Sequence, residues 1–183
     1  MALTSTVYTF DITLSNVDRG VYESLALRVP MHPSESPEYF TARLFAYCLE
    51  HTEGIAFSRG ISDPDEPTIA VRDLTGALKM WIEIGAPDAA RLHKASKASP
   101  RVAVYTHRDP AQLQRQLAGE RIHRAEQIPL FAIDRDLIAA FSERLERRMT
   151  FAFSLTEGMI YLDVNGATLS GAVESLPLQA AVV

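Results

Sequence analysis

The sequence holds one cysteine, Cys48, and one tryptophan, Trp81, in 183 residues. A lone thiol closes no internal disulfide, so the fold is expected to rest on its core, and a reducing cytoplasm is the expected location. Cys48 lies beside Phe45 and Leu49 in a helical pattern and reads as a small core residue. No run approaches the about 18 uncharged apolar residues that a membrane span needs, so no membrane association is expected. "MALTSTVYTFDITL" has no basic opening and no continuous apolar stretch, which does not match a secretory leader. There is no G-x-S-x-G, no phosphate-binding glycine loop and no dinucleotide fingerprint. The five histidines, at 32, 51, 93, 107 and 123, show no metal-ligand spacing and read as surface or capping groups. Positive charge is also short: 18 Lys and Arg against 23 Asp and Glu give a net charge of -5. That argues against a general nucleic-acid coat, which is basic overall, but leaves room for an acidic enzyme with a local basic groove.

What is present is a core-forming composition, 47% hydrophobic. "TSTVYTFDITLSNV" and "YESLALRVP" alternate with period two around a turn, which predicts an antiparallel hairpin. A helix is expected from about Ser34 to Thr52, capped by Ser34 and stopped by Gly54. A loop, "SRGISDPDEP", follows. Two short strands flank "DLTG", a helix runs from Pro87 to Ser99, and "RVAVYTH" is a strand. Asp109 and Asp134 cap further helices with a strand, "QIPLFAI", between them. "MTFAFSLTEGMIYLDVNG" reads as a hairpin turning at Glu157-Gly158, with "ATLSGAVESLP" as a further strand. The fold class is mixed α/β (α+β): a central sheet flanked by helices, plus an antiparallel sheet from the terminal strands.

The two strands around "DLTG" bring chemistry together. Their apolar faces coincide if Ile69 pairs with Ile82 and Val71 with Met80, because a one-residue slip would flip every side chain. Trp81 and Glu83 then share the opposite face, Thr68 opposes Glu83, and Glu66 lies diagonal to it, about 7–8 Å away. A different bulge at Gly76 would bring Asp65 there instead. Two such carboxylates repel unless a cation or a proton lies between them, and hard ions such as Mg²⁺ suit oxygen ligands. The competing reading is a pair of solvated acids matched to Lys79 or Arg72. In the next helix, Arg91, Lys94 and Ala98 share one side, from which Lys94 could serve a nucleophilic water or developing negative charge. With Lys97, Arg101, Arg108, His93 and His107 this forms either a phosphate-holding surface or an ordinary solvated face. Trp81 either stacks on a base or packs beneath a helix.

"HPSE", "FSRGI", "DEP", "WIEIGAP" and "RLHKA" stand in this order. The chain thereby resembles the YaeQ family of small bacterial proteins over essentially its whole length, most specifically in "WIEIGAPDAARLHKA". That family looks like a branch of the PD-(D/E)XK, restriction-endonuclease-like superfamily, whose core runs helix, three strands, helix, strand. The resemblance implies a single domain over 1–183, with a nuclease-like core at roughly 33–145 and terminal hairpins at 4–29 and 149–176. It also implies a Mg²⁺ site, with Mn²⁺ as a substitute. The second-strand acid would be Glu66 or Asp65, the third-strand acid Glu83, and the supporting first-helix acid Glu35. The E-x-K position departs from the pattern: it reads Glu83-Ile84-Gly85. Lys94 is the natural replacement, and Arg91, which stays protonated, supplies electrostatics rather than a base. Two functions follow as expectations. One is a Mg²⁺-dependent nuclease with Glu66, Glu83 and Lys94 at its centre. The other is a non-catalytic nuclease-like protein that binds a protein or nucleic-acid partner.

Overall fold

The computed structural model describes residues 4–59 and 63–182, so the middle of the loop expected at "SRGISDPDEP" lies outside the described residues. In chain order the elements are β1 (Thr6–Asn16), β2 (Val21–Met31), α1 (Pro37–Leu49), β3 (Ile55–Phe57), β4 (Ile69–Arg72), β5 (Leu78–Ile84), α2 (Ala89–Ala98) and β6 (Arg101–Thr106). There follow α3 (Pro110–Leu117), β7 (Arg121–Ile122), β8 (Leu130–Ile133), α4 (Arg135–Ser142), β9 (Arg148–Thr156), β10 (Met159–Val164), β11 (Ala167–Leu176) and β12 (Ala181–Val182). Among the described residues no helix is long and apolar enough to cross a membrane.

The chain divides into two compact units. The first comprises Met1–Leu49 and Ile133–Val173. Its strands pair in the order β2-β1-β9-β10-β11. The alternation read in β1 is realised, with Phe10, Ile12 and Leu14 buried and Ile12 facing Leu25 of β2. One pairing departs from the all-antiparallel expectation: β1 and β9 run parallel, Ile12 beside Phe151 and Leu14 beside Phe153. Strands so far apart in sequence are not bound to hairpin geometry. The β9–β10 turn does fall at Glu157-Gly158, both with positive φ, 51° and 73°, and the Asp18 carboxylate accepts both of their N–H groups, at 2.7 and 2.9 Å.

α1 is buried along every residue from Phe40 to Leu49, so it is a core helix rather than a one-sided one. Cys48 is wholly enclosed there, and burial pushes its thiol up. The helix packs through Phe45 against Phe141 of α4, with ring centroids 5.0 Å apart. Its cap differs from the expected Ser34. Ser36 accepts from Tyr39 N at 3.0 Å, while Ser34 is held by His32, whose Nδ1 accepts from Ser34 N at 3.1 Å. Pro37 decides this, since its fixed φ and missing N–H suit the first helical position. The helix also stops earlier than expected. The Leu49 carbonyl accepts from Asn16 Nδ2 at 3.2 Å and Arg19 Nη1 at 2.9 Å.

The second unit comprises Glu50–Ala132 and Glu174–Val183. Its strands pair in the order β8-β6-β5-β4-β3, with β8, β6 and β5 mutually parallel and β4 and β3 antiparallel. Trp81, Leu92, Val102, Val104, Leu113 and Leu130 form the centre of its core. β3 was not legible as a strand, because three residues carry too little periodicity. Its entry depends on Gly54, at φ +87°, where an added Cβ would lie 1.9 Å from the Arg72 carbonyl oxygen. That contact, rather than helix termination, is what the glycine serves.

Candidate active site

The β4–β5 hairpin has the register that its apolar faces demand, Ile69 with Ile82 and Val71 with Met80. Its turn is organised by Asp73. The Oδ1 atom accepts from Thr75 Oγ1 at 2.6 Å, Thr75 N at 2.9 Å and Ala77 N at 3.0 Å. The Thr75 hydroxyl, then the backbone N–H groups and the Lys79 ammonium, hold this carboxyl down to about 2 from an ordinary 3.8. A group lowered in this way contributes stability above its unfolded value and loses it as pH falls through the folded one. The expected result of an NMR titration is an Asp73 midpoint near pH 2; a midpoint near 3.8 would contradict the turn network.

On the other face of β5, Trp81 is only 1% exposed, so it packs in the core and is not a base-stacking surface. Its Nε1–H donates to Glu83 Oε1 at 2.5 Å. Glu83 is 3% exposed, and its Oε2 accepts from Thr68 Oγ1 at 3.4 Å, the cross-strand neighbour expected from the register. Gly85 N donates to Tyr105 O at 2.8 Å, which continues the parallel pairing of β5 with β6 and directs the chain into α2. Asp88 caps α2 by accepting from Arg91 N at 2.8 Å.

α2 then presents Arg91 to this face. Arg91 Nη2 lies 2.8 Å from Glu83 Oε1 and also donates to the Glu66 carbonyl at 2.8 Å. Nη1 reaches the Asp63 carbonyl at 3.4 Å, and the guanidinium lies 5.5 Å from the Trp81 ring centroid. One turn on, Lys94 forms an ion pair with Asp65. Loop 63–66, the end of β5 and α2 therefore converge: two ion pairs join Arg91 to Glu83 and Lys94 to Asp65, while Glu66 takes part through its main-chain carbonyl. That Arg91 is the partner of Glu83 was not decided by the sequence, which also offered Lys79 or Arg72; Lys79 instead pairs with Asp73, and the signal for Arg91 was the side of α2 that it shares with Lys94.

Glu35 belongs to the first unit. It precedes α1 rather than sitting in its first turn, and its carboxylate pairs with Arg43 Nη2 at 3.0 Å. Burial pushes its carboxyl up while Arg43 pulls the other way. Arg43 also donates to the Pro30 carbonyl at 2.8 Å, so this acid is engaged within its own unit.

Among the described residues, no group of three or more His, Cys, Asp or Glu side chains is arranged to hold a metal ion. The donor chemistry nevertheless fits a hard cation of the Mg²⁺ kind, which binds through one or two carboxylates and takes its other oxygens from water and substrate phosphate. Glu83 supplies one such carboxylate, whereas Glu66 meets Arg91 through its main-chain carbonyl and also lines a pocket beside β3 and β4. What opposes a metal is Arg91, which already balances the Glu83 charge.

The YaeQ protein family model matches residues 1–173. The chain belongs to the YaeQ family. It is 31% identical over 163 residues to an uncharacterised YaeQ protein of Salmonella typhi, covering 88% of this chain and 90% of that one. It is 29% identical, with the same coverage, to the uncharacterised YaeQ of Escherichia coli strain K12. The crystal structure of YaeQ from Pseudomonas syringae superposes with a TM-score of 0.85 at 28% identity, covering 94% of this chain and 96% of that chain. That of the Xanthomonas axonopodis pv. citri YaeQ protein gives 0.79 at 25% identity, covering 97% and 99%. The mixed α/β architecture is thus that of the YaeQ structures.

Proposed function

We propose that this YaeQ protein is a Mg²⁺-dependent phosphodiesterase of the PD-(D/E)XK type acting on nucleic acid. The observation that carries the reading is the convergence of Asp65, Glu66, Glu83 and Lys94 around Arg91. The order α1, β3, β4, β5, α2, β6 supports it, being the helix, three strands, helix, strand of that superfamily. So does the position of the acids, Glu66 just ahead of β4 and Glu83 near the end of β5. Glu66 and Glu83 would hold the ion, which when bound polarises a phosphoryl oxygen and acidifies a water. Lys94, steered by Asp65, offers positive charge to the phosphate from α2, in place of the lysine missing at Gly85. Arg91 balances Glu83 while the site awaits substrate.

The test is incubation of single- and double-stranded DNA and RNA with the parent protein and Glu83→Gln, with Mg²⁺ or Mn²⁺ and with chelator. Cleavage that needs both the metal and Glu83 is expected. Intact nucleic acid in every parent reaction would contradict the enzyme reading. The second reading, a non-catalytic partner-binding protein, is favoured by one observation, the guanidinium already seated on Glu83; binding that survives chelation and loss of Glu83 would support it.

A further inference from the structure

A pocket of about 240 Å³ lies along the edge formed by β3 and β4, beside Glu66 and Pro67. It is lined by Ser58, Arg59, Glu66, Pro67, Ala70 and Arg72 among others. The sequence explains why these residues meet. Gly54 lets β3 close onto Arg72, and Ser58 N donates to the Thr68 carbonyl at 3.1 Å, which draws the chain after β3 alongside Pro67. A register shift between Val71 and Arg72 interrupts the ladder at the far end.

The charge in this pocket is unusual for an acidic chain. Arg59 and Arg72 are both exposed, and among the described residues neither has a carboxylate partner. The hydrogen bond seen at the Arg72 guanidinium is a long one, 3.4 Å, to the Gly76 carbonyl. Elsewhere in the second unit the cations of the site are matched to acids, Arg91 to Glu83 and Lys94 to Asp65. Two unmatched guanidiniums on one small concavity form a fork-shaped donor array of the kind that fits phosphate oxygens. The volume lies below the about 300–1,000 Å³ typical of small-molecule sites, and suits a phosphate with its sugar rather than a whole metabolite. Glu66 belongs to the same pocket and to the site described above.

We propose that this pocket holds a backbone phosphate of a polynucleotide, anchored by Arg59 and Arg72, so that the neighbouring stretch of the strand is delivered to Glu66. The inference rests on the phosphodiesterase reading for what happens next, and on the pocket alone for binding. Arg59 and Arg72 are positioning residues: they fix the register of the strand and carry no proton. Glu66 opposes the phosphate when no divalent ion is present, so its charge weakens binding in chelator and aids it in metal.

The experiment is fluorescence anisotropy of labelled DNA and RNA oligonucleotides in EDTA, with the parent, Arg59→Ala/Arg72→Ala, Glu66→Gln and, as a control, the exposed Arg28→Ala on β2. Melting curves confirm that each variant is folded. The double variant is expected to bind at least about tenfold more weakly, with a salt dependence shallower by about one to two phosphate contacts. Glu66→Gln is expected to bind more tightly in EDTA and Arg28→Ala as the parent does. Inorganic phosphate should compete only at concentrations far above those of the oligonucleotide; equal competition would mean a free-phosphate site and overturn the polynucleotide assignment. Unchanged affinity in the double variant, or no binding by the parent, would also overturn it. The two readings separate cleanly. Arginine-dependent binding without metal-dependent cleavage removes the enzyme reading and keeps the pocket. Cleavage that ignores both arginines does the reverse.

Discussion

Arg91→Met is expected to destabilise the protein by about 3 kcal/mol at neutral pH, because it leaves the Glu83 carboxylate buried without its cation. The effect falls at the lower end for a broken buried pair, since the Arg91 side chain keeps 23% exposure against 5% for Glu83. Methionine retains much of the apolar stem, so the loss reports charge rather than packing. It also removes the cation above Trp81 and the donors to the Asp63 and Glu66 carbonyls, which loosens loop 63–66 over α2. Urea unfolding gives the stability change. A cost below about 1 kcal/mol would place this pair among weak surface contacts and contradict the burial argument. Added Mn²⁺ should raise the melting temperature of the variant more than that of the parent, because an ion that binds only the folded state stabilises it by mass action.

Glu83→Gln is expected to lower metal-dependent cleavage by at least about 100-fold. A lost metal ligand removes several kcal/mol of transition-state stabilisation, and each 1.36 kcal/mol is a factor of ten. Glutamine keeps the size of the side chain and one carbonyl oxygen for the Trp81 Nε1 donor, so the protein should still fold, with a lowered melting temperature from the unpaired Arg91. Cleavage by the folded variant at the parental rate would remove Glu83 from the mechanism.

The hairpin that builds the site was legible because its alternation admits one register: Ile69 and Val71 can meet Ile82 and Met80 only if Glu83 faces Thr68. The helix caps Asp109 and Asp134 were legible for a similar reason, each a local carboxylate–amide contact. What the sequence hid was decided by contacts between distant residues. The parallel pairing of β1 with β9, the three-residue β3 and the shift of the α1 cap to Ser36 all depend on neighbours that periodicity does not name. The site divides in the same way. The chain order placed Glu66, Glu83 and Lys94 near one another, but which cation answers which acid turned on α2 rotation. That rotation gives Arg91 to Glu83 and Lys94 to Asp65.

The central claim is that Glu83 is a cation position which Arg91 holds and a divalent ion can take. Calorimetric titration of Mn²⁺ into the parent, Glu83→Gln and Arg91→Met tests it without any choice of substrate. The account predicts weak binding by the parent, none by Glu83→Gln, and binding at least about tenfold tighter by Arg91→Met, as removal of a competing positive charge 2.8 Å from the ligand oxygen requires. A folded Arg91→Met protein that takes up no Mn²⁺, or a Glu83→Gln protein that binds it as the parent does, would contradict the claim.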